Sequence, residues 1–185
     1  MKNIQSNAKK LNWVNALFLS ITPLVGIIGT ATLAIQNKIS WPTIVLTFVF
    51  IVISGLSITC GYHRLFSHCA YQAHRSVRFL FALFGAGAFE GSVLEWCSDH
   101  RDHHRYTDTD EDPYNAKRGF WYSHLGWLLY LEPGKRTFEN VTELSADPML
   151  RLQHRFYVPI AIFTGFILPM MIGSLWGEAD RKSVV

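Results

Sequence analysis

The stretch TIVLTFVFIVISGLSITCGY (Thr43–Tyr62) runs without a single charged residue into HRLFSH (His63–His68). Crossing the hydrocarbon core of a bilayer takes roughly 20 apolar residues in a helix, and this run reaches that length. In lipid each backbone N–H and C=O must find its partner inside the segment, so such a run is helical. Two histidines then stand where the apolar run gives way to polar sequence.

The same pattern recurs outward. Leu11 to Ile35 is a second long apolar run, with Asn12 and Asn15 at its start. A short polar turn, Gln36 to Ser40, joins the two, and Pro42 opens the second. The two runs are expected to form a spanning helical hairpin. The apolar stretch Phe79 to Val93 is too short to span and is broken by Gly85, Gly87 and Gly91. It reads as interfacial or half-buried. A polar region follows from Glu95 to Arg155, and Tyr157 to Trp176 makes a third spanning helix, in which Pro159 and Pro169 are tolerated. The expected fold is an all-α integral membrane protein: a spanning hairpin, histidine-bearing interfacial helices, and a third span, forming one domain over residues 1–185.

Composition agrees. Charged residues are 17% of the 185 and hydrophobic ones 49%, against about a quarter charged in soluble domains. A net charge of +3 without a basic stripe gives no footing for nucleic acid. Lys2, Lys9 and Lys10 precede the first span, Arg64, Arg75 and Arg78 follow the second, and only Lys38 lies between. The positive-inside rule therefore places the N-terminus and the histidines on the cytoplasmic face. The Leu11–Ile35 run is too long for a signal peptide, and a second span follows it closely. Cys60, Cys69 and Cys97 show no zinc-ribbon spacing and read as free thiols.

His100, His103 and His104 lie in HRDHH at helical spacings of three and four, so one helix face can carry all three. Imidazole is a ligand for iron, zinc and copper. His63 and His68 are five apart and would point about 140° apart on a regular helix. Local unwinding would turn both inward, or they would serve different metals of a pair. Asp99 and Asp102 flank the triplet and are candidates to orient imidazoles, with solvated acids as the bland reading. There is no HExxH, no GxSxG and no P-loop. His74, His124 and His154 stand alone and read as structural. Asp108–Asp112 lacks EF-hand spacing and reads as a solvated loop or docking surface.

These residues resemble the integral-membrane acyl desaturases of the stearoyl-CoA desaturase type. GYHRLFSH (Gly61–His68) resembles the first histidine box and EWCSDHRDHH (Glu95–His104) the second. The likeness continues through Asp112-Pro113-Tyr114-Asn115, Ser123-His124-Leu125-Gly126-Trp127 and Gln153-His154-Arg155-Phe156-Tyr157, covering Trp13 to Glu178. It implies a di-iron centre using O2, with His63, His68, His100, His103 and His104 as metal ligands. It implies a fatty acyl thioester or acyl lipid as substrate in a membrane, a cis double bond at Δ9, and electrons from a cytochrome b5 or ferredoxin. By the same resemblance Asn15 and Asp99 contact the acyl carrier.

The sequence departs from the family at Gly91 and Ser98, where animal acyl-CoA enzymes carry an asparagine and an arginine that help hold coenzyme A. The family's fourth span and third box, HxxHH, are not found before Val185. Two irons take roughly four to six ligands each, and five imidazoles supply about half. A non-catalytic desaturase-like membrane protein and a di-iron acyl hydroxylase are therefore the alternatives to a desaturase. A membrane metal carrier is disfavoured, because the spans carry no histidines inside them.

Overall fold

The computed structural model describes residues 10–130 and 137–177. Lys2, Lys9 and residues 178–185, where the resemblance ends at Glu178, lie outside the described residues.

Helix α1 (Trp13–Ile35) starts at Asn12, whose side chain accepts the N–H of Asn15 at 3.2 Å, a normal N-cap. It is apolar all round and buries none of its residues, as a helix facing lipid would. Helix α2 (Trp41–Leu56) has Pro42 in its first turn, where no N–H partner is needed. It continues without a break into a wider, π-wound segment, Ser57–Ser67. Helix α3 (Arg75–Ala86) is capped by His74, and α4 (Val93–Tyr106) carries the second histidine motif. Short pieces follow: α5 (Trp127–Leu129), α6 (Thr142–Ala146) and α7 (Pro148–Arg155). Helices α8 (Tyr157–Ile162) and α9 (Leu168–Gly177), joined by a second π-wound turn, Phe163–Ile167, make the last rod. Three helical rods are long and apolar enough to cross a membrane: Trp13–Ile35, Trp41–Ser67 and Tyr157–Trp176. Among the described residues there is no strand beyond one bridge between Leu11 and Tyr130.

The chain groups into two compact units, Met1–Lys38 with Asp102–Lys135, and Ile39–Arg101 with Arg136–Val185. In the first, the start of α1 is tied to α5. Asn12 donates its backbone N–H to Leu129 O at 2.8 Å, and Asn15 Nδ2 donates to Leu128 O at 2.8 Å.

In the second, α3 packs on the π-wound segment, on α2 and on α8, while α2 packs on α9. The Trp176 indole donates to Thr43 Oγ1 at 3.1 Å, so the two rods run antiparallel with paired ends. About 20 residues separate Thr43 from His63, roughly 30 Å of helix. The tryptophan-bearing ends suit one membrane–water boundary, and the histidines stand a bilayer's thickness away.

The core lies at the histidine end. Tyr62, Phe66, Val93, Cys97, Val141 and Leu150 have no exposed surface. The Tyr62 hydroxyl accepts from Gln153 Nε2 at 3.0 Å, and Gln153 Oε1 accepts from Val93 N at 3.1 Å, so these buried polar groups are satisfied. Two glycines permit this packing. A Cβ on Gly61 would stand 2.6 Å from Phe81 Cβ, and one on Gly85 would collide with the Tyr62 ring. Gly85→Ala is expected to destabilise the protein by about 1–3 kcal/mol through overpacking. Chemical denaturation in detergent reads this directly, with Gly29→Ala as control, since nothing lies within 4 Å of a Cβ there.

Candidate metal site

The five-residue spacing of His63 and His68 finds its reason in the π-wound segment. A π turn bonds i to i+5, so residues five apart stack on one face. The N–H of His68 donates to His63 O at 3.0 Å, closing such a turn. This wider, underwound turn is the local unwinding that the spacing called for, and it puts the two rings side by side, with centroids 4.6 Å apart.

Helix α4 supplies the third ring. Its start is fixed by a capping box, in which Ser92 N donates to Glu95 Oε2 at 3.0 Å and Glu95 N donates to Ser92 Oγ at 3.3 Å. His154 adds to it through Nδ1, 2.7 Å from Ser92 Oγ. Two turns on, His100 Nε2 lies 3.0 Å from His68 Nε2, which in turn lies 3.0 Å from His63 Nε2. The three ring nitrogens all lie within 4.8 Å of one another. His104 follows His100 by one turn on the same helix and extends the row.

A neutral imidazole nitrogen carries one proton or one lone pair, so His68 Nε2 cannot make two good hydrogen bonds in this cluster. A shared cation resolves the convergence. With metal–imidazole bonds of about 2.0–2.1 Å, as for zinc, nitrogens at right angles stand about 2.9 Å apart and tetrahedral ones about 3.3 Å. The observed 3.0 Å steps fall in the range spanned by ring nitrogens that share one ion. The donor set therefore fits a transition metal such as iron.

Trp96 walls the cluster. Its indole stacks on His100 (centroids 4.7 Å, planes 22° apart) and meets His63 edge-on at 6.1 Å. Its Nε1 donates to Glu90 Oε2 at 3.0 Å. Cys97 is buried beneath α4 and donates to Tyr62 O at 3.4 Å. Burial pushes its thiol well above the ordinary range.

Within the second motif, His103 pairs its Nδ1 with Asp112 Oδ1 at 2.8 Å. A carboxylate only accepts, so Nδ1 carries the proton and Nε2 the lone pair, the tautomer a metal ligand needs. Asp112 also corrects the reading of Asp108–Asp112 as a solvated loop. It is 1% exposed and accepts the N–H groups of Asp108 (2.8 Å) and Tyr114 (2.9 Å), because the turn aims both at its carboxylate. Desolvation opposes its charge, but these N–H donors and the His103 ring outweigh that and hold its pKa below the usual aspartate value. A depressed pKa contributes stability above the ordinary value of about 3.9. That stability is lost as pH falls through the lower folded value. Protection of the 108–115 turn against hydrogen exchange is thus expected to hold down to about pH 4 and to fail below it. Asp112→Asn is expected to weaken metal binding about 10–100-fold, as loss of an outer-shell partner does, and a metal titration measures it.

Of the remaining expected positions, Asn15 is fixed by Leu128, and Asp99 sits half-buried on α4 directly before His100. His74 caps α3, and the His124 ring stacks on Phe120. Arg101, not singled out by the sequence, donates to the carbonyls of Phe66, Ser67 and Asn140 and pairs with Glu143. Its only sequence signal is its place inside HRDHH.

The sequence model of the fatty acid desaturase family matches residues 39–179. The chain belongs to the fatty acid desaturase family. A probable acyl-CoA desaturase of Schizosaccharomyces pombe is 44% identical over 92% of this chain and 35% of its own length. Acyl-CoA desaturase 1 of Saccharomyces cerevisiae is 41% identical over 88% of this chain and 32% of its own. The Delta(9)-fatty-acid desaturase fat-6 of Caenorhabditis elegans is 36% identical over 91% and 52%. The chain thus spans about a third to a half of the length of these curated relatives. Family membership and three spanning-length helices make it a membrane protein.

Proposed function

We propose that this chain carries the first two histidine boxes of the di-iron centre of a membrane fatty acyl desaturase, facing the cytoplasm. The observation that carries the reading is the convergence of the His63, His68 and His100 Nε2 atoms at 3.0 Å steps. His63, His68, His100, His103 and His104 would hold the two irons, with His103 aimed by Asp112. The chemistry that iron supplies in such a site is the reduction of O2 to two waters. It uses two hydrogens from adjacent acyl carbons, two electrons from a donor and two protons from solvent, and leaves a cis double bond, here assigned to Δ9. Trp96 covers one face of the His100 ring, and shielding of this kind suppresses side reactions of a reactive centre.

The substrate is a fatty acyl thioester or acyl lipid drawn from the membrane, with a cytochrome b5 or ferredoxin as electron donor. Asn15 and Asp99 would meet the acyl carrier. Arg64, Arg75 and Arg78 follow the second span and support the cytoplasmic placement. Ser98 is 4% exposed and donates to Asn140 Oδ1 at 2.9 Å. That use of position 98 speaks for a carrier held differently from coenzyme A in the animal enzymes.

The test is expression in membranes with iron, a saturated acyl-CoA and a reducing system, followed by metal analysis and mass spectrometry of the acyl products. Bound iron with a cis-monounsaturated product supports the proposal. A hydroxylated product moves the assignment to a related hydroxylase, and absence of bound iron sinks it in favour of a non-catalytic protein.

A further inference from the structure

We infer that Arg101 is a positioning residue for the metal site, setting the separation of the two histidine motifs by clamping the end of one helix to the side of the other. The inference rests on the reading of the histidine cluster as a metal site. The last carbonyls of a helix have no partner within it. At the end of the π-wound segment two of these belong to Phe66 and Ser67, directly before His68. Both are taken by one guanidinium: Arg101 Nη2 donates to Phe66 O at 3.0 Å and Nε to Ser67 O at 3.1 Å. A cation at a helix C-terminus also meets the negative end of the helix dipole.

Arg101 follows His100 directly in sequence, and the carbonyls that it holds precede His68 directly. The side chain therefore bridges backbone next to one ligand and backbone next to the other. The 3.0 Å step between His68 Nε2 and His100 Nε2 is the distance that this bridge governs. The guanidinium is itself fixed from the far side. Its Nη1 donates to Asn140 O at 2.6 Å, and Nη2 pairs with Glu143 Oε1 at 2.6 Å. Asn140 is anchored in turn to α4, because its Nδ2 donates to Ser98 O at 2.9 Å. Only the planar fork of arginine can reach several acceptors at once in this way. A lysine ammonium is a single point on a flexible stem.

The experiment is a cobalt(II) titration of the full chain in detergent, following visible d–d absorption, for wild type, Arg101→Ala, Arg101→Lys and Arg78→Ala. Arg78 pairs with Asp147 at 2.9 Å and lies over the Phe66 ring at 4.9 Å, but it does not bond to the Phe66 and Ser67 carbonyls, so its variant removes a neighbouring arginine and its ion pair while leaving the carbonyl bridge in place. Arg101→Ala is expected to weaken cobalt binding about 10–100-fold, the range for outer-shell partners, and to shift the absorption bands. Arg101→Lys is expected to bind with intermediate affinity, and it keeps the test decisive where the alanine variant does not fold. Arg78→Ala is expected to keep the wild-type affinity and spectrum. Wild-type affinity and bands in a folded Arg101 variant, or an equal change in Arg78→Ala, would overturn the inference. Failure of the wild type to bind cobalt would instead overturn the metal-site reading beneath it.

Discussion

His68→Ala is expected to abolish metal binding while leaving the helical fold intact. His68 Nε2 is 3.0 Å from both His63 Nε2 and His100 Nε2, so its removal takes away the ligand nitrogen that both share, although the His63 and His100 rings still stand 4.6 Å apart. The loss should exceed the roughly 100-fold that accompanies removal of an outer-shell partner. The side chain is exposed and takes no part in the core, so far-UV circular dichroism should match wild type. Elemental analysis of purified protein gives the readout. His124→Ala, which removes a ring stacked on Phe120, should retain the wild-type metal content. Full metal content in His68→Ala would remove the basis for a shared site.

Tyr62→Ala is expected to carry the largest stability cost, about 3–5 kcal/mol, the range for truncating a large buried ring. Tyr62 has no exposed surface, and it packs edge-on against Phe66 and Trp96 with centroids 6.4 and 6.1 Å away. Its hydroxyl also accepts from Gln153 Nε2, which keeps a second acceptor in Ala82 O at 3.3 Å. Tyr62→Phe separates the two contributions, because it keeps the ring and removes only the hydroxyl. It should cost about 1 kcal/mol, the scale of one buried hydrogen bond. Because Tyr62 adjoins His63 and touches Trp96, the alanine variant should loosen metal binding as well, whereas His68→Ala should change binding and leave stability alone. Denaturation and metal titration of the two variants side by side test that asymmetry.

The His63–His68 pair marks the limit of what local sequence conveys. Its spacing of five is awkward on an α-helix and natural on a π-wound one. The sequence carries the interval but not the choice of winding, because that depends on how Ser57–Ser67 packs against segments distant in the chain, such as Phe81 of α3 against Gly61. The HRDHH triplet is similar. Its spacing announces a ligand face, yet His103 is recruited by Asp112, nine residues on, through a turn whose N–H groups draw the carboxylate inward. Arg101 is bonded to residues 34 to 39 positions away, and no local pattern reveals such partners.

The three spanning segments, by contrast, were determined by the sequence alone. Lipid offers no hydrogen-bond partners, so an uncharged apolar run of that length has one available solution, and the solution is local. The candidate ligand residues were singled out in the same way, by motif. Tertiary structure alone decided which rings share a point in space, which tautomer His103 takes, and which side chains hold the cluster at its spacing. Those properties depend on contacts between segments far apart in the chain, where packing rather than local preference sets the distances.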